Sequence, residues 1–290
     1  MRNAVFSVIF PANLVFFDDF IASLNYQDVS NYELFLVNDG VNSEVLAQKL
    51  LTLKAPVKVA DADGKLTPTE IRMYGIKKLL EQNRYKKVIF ADTDDYMSFD
   101  RVRLSLIKLD EYPIVFNDLT LVNEVGVVFN EHIWNSRIEH LKLDKTFLLN
   151  KNVLGLGNSA ILASHLRLMD IPQEIIAVDW YYFSNLLNDE DEIGYVGETV
   201  TYYRQHSANT VGVKRVSLER LKFITEVKEA HFRAMSKIDN QYLEPLKEIQ
   251  NLKEQLNNKN FDINNLLNTH TNYFWWEESN FLNNETDTIN

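Results

Sequence analysis

Apolar positions recur along this chain in two rhythms, and the switches between them lay out its elements. Short apolar runs at Val5 to Phe10, Leu34 to Asn38, Val57 to Ala60 and Val88 to Ala91 read as strands. The stretches between them, Phe16 to Leu24, Ser43 to Leu53 and Pro68 to Asn83, read as helices. Strand alternating with helix predicts an α/β domain with a mostly parallel sheet flanked by helices. Thr67-Pro-Thr-Glu70 has the form of an N-cap, a proline at the first helical position and an acidic first turn, which puts Arg72 on the opening turns of its helix.

After Asp95 the rhythm loosens. Short strands, antiparallel in part, are expected at Ile114 to Asn117, Leu119 to Val122 and Gly126 to Asn130, and Trp134 to Leu143 fits neither period. Helices near His165 to Met169 and Asp179 to Leu187 and a strand at Glu198 to Arg204 complete a first region, 1–212. Beyond it, Leu218, Leu221, Ile224 and Val227, then Leu246, Ile249, Leu252 and Leu256, recur at helical spacing and predict a C-terminal helical extension over 213–282. Residues 283–290 are polar enough to predict a disordered tail. The cluster Tyr273-Phe-Trp-Trp276 breaks the polarity before it and reads first as a docking contact of the tail, less readily as a membrane-interface or partner contact.

Composition narrows the chemistry. With 290 residues and 46% hydrophobic content the chain can bury a large core without staples. The absence of cysteine excludes a disulfide framework, thiolate metal sites and a cysteine nucleophile, and fits a reducing, cytoplasmic setting. A net charge of −11 disfavours nucleic acid as a partner. No stretch reaches the roughly 18 apolar residues that a spanning helix needs. Any membrane contact is then expected to be peripheral, at the inner face. The C-terminal apolar stripes point to self-association or to contact with a partner or membrane, with packing on the first region as the simpler alternative.

The chemical signal is strongest where the run Val88 to Ala91 meets Asp92-Thr-Asp94-Asp95. Asp92 and Asp94 share a face of an extended backbone, and three carboxylates in four residues repel one another unless a hard divalent cation joins them. A solvated acidic turn is the plainer alternative. Other polar groups stand at predicted strand or helix ends: Asp39 before Gly40, Asp179 before Trp180, and Arg204 with His206 on one face of an extended segment. Asp61 and Asp63 read as turn residues that could also meet a nucleotide base. Asp179 taken alone reads as a helix cap.

The order of these motifs resembles the inverting, GT-A-type family 2 glycosyltransferases over roughly residues 4 to 212. The resemblance is carried by Phe6-Ser-Val-Ile-Phe-Pro-Ala-Asn13, Ser23-Leu-Asn-Tyr-Gln27, Val37-Asn-Asp-Gly40, Ala91-Asp-Thr-Asp-Asp95, Val178-Asp-Trp180 and Tyr203-Arg-Gln-His206. It implies nucleotide-sugar binding by Pro11, Asn13, Asp39, Arg72, Asp92 and Arg204. It also implies a metal site of Asp94, Asp95 and His206 for Mn2+ or Mg2+, with Asp179 as general base. Asn209 and Thr210 rank as secondary, and Gly155-Leu-Gly157-Asn158-Ser159 resembles the family's acceptor-side turn.

Three positions depart from the family pattern: Asn38 replaces an acidic residue, Met73 an asparagine and Val178 a glutamate. The implied activity is transfer of a sugar from a nucleotide-diphosphate donor to a hydroxyl of a glycan or lipid-linked acceptor, in a bacterial surface-polysaccharide setting. The rivals are a metal-dependent phosphohydrolase, which ordinarily carries its aspartates on the first strand, and a nucleotidyltransferase, which needs a glycine-rich first loop that Pro11-Ala-Asn13 does not supply. A non-catalytic scaffold working through its C-terminal helices is the third.

Overall fold

A computed structural model describes residues 2–62, 64–138, 143–149, 151–206 and 217–258. Asp63, Asn209, Thr210, Gly212, the Tyr273–Trp276 cluster and the polar tail lie outside the described residues. The chain divides into two units that are discontinuous in sequence. The first comprises residues 1–145, 153–170 and 185–206, and the second comprises 146–152, 171–184 and 207–290. The sequence pattern by itself places a single boundary, near residue 212.

The first unit carries β1 (Arg2–Ile9), α1 (Phe17–Asn25), β2 (Tyr32–Asn38), α2 (Ser43–Leu50), β3 (Val57–Asp61), α3 (Pro68–Leu80), β4 (Tyr85–Phe90), β5 (Tyr96–Met97), α4 (Arg101–Lys108), β6 (Ile114–Asn123), β7 (Val128–Asn130), α5 (Asn135–Ile138), β8 (Ser159–Leu162) and β9 (Ile193–Gln205). Among the described residues the strands form one nine-stranded sheet in the order β3-β2-β1-β4-β8-β6-β9-β5, with β7 paired to β6. The run from β3 to β4 is parallel, β8 is antiparallel to both β4 and β6, and β6 runs parallel to β9. Every residue of β2 is buried, so both of its faces are covered and its sequence is almost continuously apolar, whereas the edge strand β3 alternates between exposed and half-buried positions.

Helix α3 begins as its sequence predicts, with Pro68 in the first turn and a reciprocal Thr67–Glu70 capping box. Its Gly75 lets it approach the sheet closely: a Cβ there would lie 2.6 Å from Phe6 Cζ and 2.8 Å from Val37 Cγ2. That approach brings Arg72 down toward the carboxyl ends of the strands.

Beyond β4 the structure departs from the expected elements. The two strands expected between Ile114 and Val122 are one strand, β6, with an irregularity between Asn117 and Asp118. The helix expected near His165 is a 3-10 turn at Ala163–His165, and α4, β5 and β8 had no distinct sequence signal.

The second unit contains α6 (Val178–Leu186) up to Ser184, α7 (Leu218–Met235) and α8 (Leu243–Asn257). Ser217 caps α7 by accepting the Arg220 N–H, and Glu229 of α7 is paired with Arg233 and, at 2.6 Å, with Lys253 of α8. Leu221, Ile224 and Val227 of α7 and Ile249, Leu252 and Leu256 of α8 are buried within the chain. Leu218 and Leu246, the first residues of the two stripes, are half-buried. Among the described residues no helix is long and apolar enough to cross a membrane.

At the heart of this unit the His231 ring stacks on Trp180, with centroids 3.8 Å apart and planes at 11°, and the Trp180 indole N–H donates to Leu148 O at 2.7 Å. Neither His231 nitrogen has a hydrogen-bond partner among the described residues. Burial, with Lys228 nearby, pushes the imidazole down to about 3 from an ordinary 6.5. The folded chain therefore holds His231 neutral while the unfolded chain protonates it below about pH 6.5, so its contribution to stability is full above that value and is lost as pH falls toward 3. In urea denaturation, His231→Phe should remove this component: the gap between parent and variant midpoints is expected to shift in favour of the variant as pH falls from 7 to 4.

Candidate active site

The carboxyl ends of β1, β2 and β4 meet at one edge of the first unit, the edge at which open α/β sheets present their ligand sites. Phe10 leaves β1 and Pro11–Val15 forms a 3-10 turn with Pro11 at its start. From that turn Asn13 Nδ2 donates to Thr93 Oγ1 at 3.2 Å, and the Thr93 hydroxyl donates to Val8 O at 2.9 Å. Thr93, between the two motif aspartates, is thus a fully buried tie between the ends of β1 and β4.

At the end of β2, Asp39 is buried and its N–H donates to Ile9 O, while Gly40 takes φ +87 and lies beside Pro11. Asn38 has a physical account as well. Its amide donates to Asp61 Oδ1 and to Val41 O, both at 2.9 Å, and its Oδ1 accepts the Val41 N–H. A carboxylate at position 38 would instead set two like charges against each other.

Arg72 of α3 donates through Nη2 to Asp92 Oδ1 at 2.5 Å, while its Nη1 is buried without a hydrogen-bond partner among the described residues. That second nitrogen is a cationic donor with no acceptor among the described residues. Gly157, in the loop before β8, closes on the same carboxylate, and a Cβ there would come within 2.7 Å of Asp92 Oδ2.

His206, 112 residues from Asp94, places Nε2 at 2.9 Å from Asp94 Oδ2. Its ring packs on Phe16 at 5.0 Å. Asp95 is buried behind the pair and accepts the Arg204 N–H at 2.8 Å. Burial, and after it the charges of Asp94 and Asp92, raise the Asp95 carboxyl well above its ordinary value, against which the Arg204 N–H and the nearby Arg101 charge work. Arg101 is itself buried, donating to Asn117 Oδ1 and Phe90 O at 2.7 Å each, and burial lowers its guanidinium to about 10.

Arg204 was expected at the donor phosphates, and the structure gives its guanidinium other work. Nε donates to Asp94 O at 2.9 Å, Nη1 to Glu124 O at 2.7 Å and Nη2 to Asp19 Oδ2 at 2.6 Å, with the Phe16 ring 4.8 Å away and the Tyr96 ring at 5.5 Å. The residue is only 2% exposed. It fastens the aspartate loop to the β6–β7 turn and to α1. Asp19, Phe16 and Tyr96 were not read as site residues; Tyr96, directly after Asp95 and stacked on Tyr202, carried the only local hint.

Among the described residues no three His, Asp or Glu side chains are gathered into a ready ligand set. The pair Asp94–His206, with Asp95 behind it, nevertheless suits a small oxygen-seeking cation, which commonly takes one or two protein ligands and completes its shell with phosphate oxygens and water. Asp179 belongs to the second unit, in the first turn of α6, where its Oδ1 accepts the Trp180 N–H at 2.9 Å. An open cavity of about 420 Å3 lies at the amino ends of β1 and β4, lined by Asn3, Lys86, Lys87, Arg103 and Asp110, and has no part in the aspartate cluster.

No protein-family model matches the sequence, and no match is found among curated proteins. Solved structures do match. S. aureus TarS in complex with UDP is 17% identical, with 92% of this chain and 75% of that chain covered and a TM-score of 0.59. Its complex with UDP-GlcNAc is 15% identical, with 81% and 73% covered and a TM-score of 0.57. The mannosyltransferase PcManGT from Pyrobaculum calidifontis, in complex with GDP-Man and Mn2+, is 12% identical, with 86% and 68% covered and a TM-score of 0.56. The fold is GT-A. It is the architecture that the strand-helix rhythm and the ordered motifs implied.

Within this GT-A unit Arg204 is expected to be the costliest of the charged residues to replace. Arg204→Lys keeps the charge but loses the planar fork that serves three separate acceptors. A loss of about 2–3 kcal/mol in folding free energy is expected from urea denaturation. A lysine variant as stable as the parent would show that the fork is dispensable.

Proposed function

We propose that this chain is an inverting glycosyltransferase that moves a sugar from a nucleotide-diphosphate donor to a hydroxyl of a glycan or lipid-linked acceptor. The observation that carries the reading is the pairing of Asp94 with His206 across 112 residues, at the strand edge where Asp92 and Asp95 also stand. The fold shared with proteins solved in complex with UDP-GlcNAc, UDP and GDP-Man supports it independently. That the mannosyltransferase complex holds Mn2+ is consistent with Mn2+ or Mg2+ serving here.

In this reading Pro11, Asn13 and Asp39 line the nucleoside end of the donor, and Arg72 offers its unpartnered Nη1 to the nucleotide while its Nη2 keeps Asp92 in place. Asp94 and His206, with Asp95 as support, would hold the divalent cation. Such a cation, when bound, stabilises the charge that develops on the leaving diphosphate. The acceptor oxygen attacks the anomeric carbon from the face opposite the diphosphate, the bond from that carbon to the diphosphate oxygen breaks with its electron pair, and the acceptor proton passes to the Asp179 carboxylate. The Trp180 N–H, donating to Oδ1, orients this carboxylate in the first turn of α6. A single displacement of this kind inverts the anomeric configuration.

A donor screen tests the reading. Nucleotide release from UDP- and GDP-sugars should appear with Mn2+ or Mg2+, vanish in EDTA, and fall at least about 100-fold in Asp94→Ala. Asp179→Asn should lose turnover to a similar degree while binding the nucleotide diphosphate as the parent does. A parent chain that binds no nucleotide diphosphate with either metal overturns the assignment.

A further inference from the structure

A buried carboxylate aimed at a half-exposed imidazole stands apart from the aspartate cluster, and the donor chemistry makes no use of it. Asp118 is fully buried on β6, at the irregularity after Asn117. Its Oδ1 accepts the N–H groups of Leu119 and Trp134, both at 2.8 Å, and its Oδ2 lies 3.3 Å from His132 Nδ1. The Tyr195 phenol is close by, and burial, with the Asp118 charge adding to it, pushes that hydroxyl up and keeps it protonated.

His132 adopts φ +51, one of two non-glycine residues with positive φ among those described. The other, Asn83, ends the turn after α3, where asparagine takes that conformation readily. Histidine is, with asparagine, among the side chains that take this conformation more often than most, and here it turns the chain just after β7. Its side chain is about half exposed, 51%, and Nε2 has no protein partner among the described residues.

The sheet register says where the ring is presented. Ile89 of β4 and Val115 of β6 both pair with Ala160 of β8, so β4 and β6 run in the same direction on either side of it. β8 starts at Ser159, and the two residues before it touch both flanking strands' continuations. Gly157 abuts Asp92, and Asn158 Nδ2 donates to Asn117 O at 3.1 Å. The β6–β7 hairpin from which His132 emerges is also the one fastened to the aspartate loop through Arg204 and Glu124 O.

We propose that His132, oriented by Asp118, is a saccharide-binding residue: Nε2 hydrogen-bonds a hydroxyl of the acceptor glycan on the β6 side of the donor site. Asp118 is a positioning residue, fixing the ring through Nδ1 and leaving Nε2 for the ligand. The proposal rests on the transferase reading for the identity of its ligand and on β6 geometry for its place.

The clean variant is His132→Asn. An asparagine tolerates the left-handed backbone, and its amide can stand in for Nδ1 against Asp118, so only the outward nitrogen is deleted. The full chain and this variant are applied, without nucleotide, to an array of neutral and uronic-acid oligosaccharides, and UDP and GDP binding with Mn2+ is titrated in parallel. The expected result is an oligosaccharide that the parent binds and that His132→Asn binds about tenfold more weakly, with nucleotide affinity and melting temperature unchanged. Asp118→Asn should weaken the same saccharide and lower the melting temperature as well. Equal saccharide binding by parent and His132→Asn overturns the proposal, as does a parent that binds nucleotide diphosphate but no saccharide on the array. A parent that binds saccharide through His132 but no nucleotide diphosphate leaves this inference standing and removes the donor reading instead.

Discussion

Three carboxylates within four residues at the end of a buried strand repel one another, and the first unit is arranged so that each meets a compensating group. At a few ångströms in a partly desolvated site, a like-charge contact costs several-fold more than it would in water. Asp92 is met by Arg72 from α3, Asp94 by His206 from the end of β9, and Asp95 by the Arg204 N–H with Arg101 nearby. These partners come from three elements, α3, α4 and β9 with its end, spread over most of the unit. Packing that looks remote from the site, such as the close seat of α3 at Gly75, therefore decides where a charge stands in it.

Arg204 shows how that arrangement is kept rigid. A guanidinium buried between two aromatic rings would be prohibitive without partners, and here three separate acceptors take its donors. Because those acceptors belong to the aspartate loop, the β6–β7 turn and α1, the residue couples the donor edge to the hairpin that carries His132. The aspartate loop and the β6–β7 hairpin then share one anchor, and neither can shift without disturbing it.

Much of this was legible in the sequence where local rules dominate. β1, β2 and β4 announced themselves because burial on both faces demands continuous apolar runs, and α3 because its capping box is a local contact. β8 escaped notice because four residues carry no period, and α4 because Arg101 and Ser105 occupy buried positions that pattern reading reserves for apolar side chains. Asp94 and His206 were both marked as ligands, yet their meeting is a tertiary fact. The Asp19–Arg204 pair spans 185 residues and the Asp118–His132 pair depends on the turn of a hairpin, so neither leaves a motif. The amphipathic stripes of α7 and α8 were visible, whereas the burial of six of their eight residues is a tertiary fact.

The account stands on the claim that the Asp94–His206 pair binds a divalent cation whose shell a nucleoside diphosphate completes. Electron paramagnetic resonance of free Mn2+, titrated against the full chain with and without UDP or GDP, tests it most directly. The account predicts one tightly held ion per chain that requires the nucleotide and disappears in His206→Ala. A parent chain that holds Mn2+ no better with either nucleotide than without, or no better than His206→Ala, would contradict it.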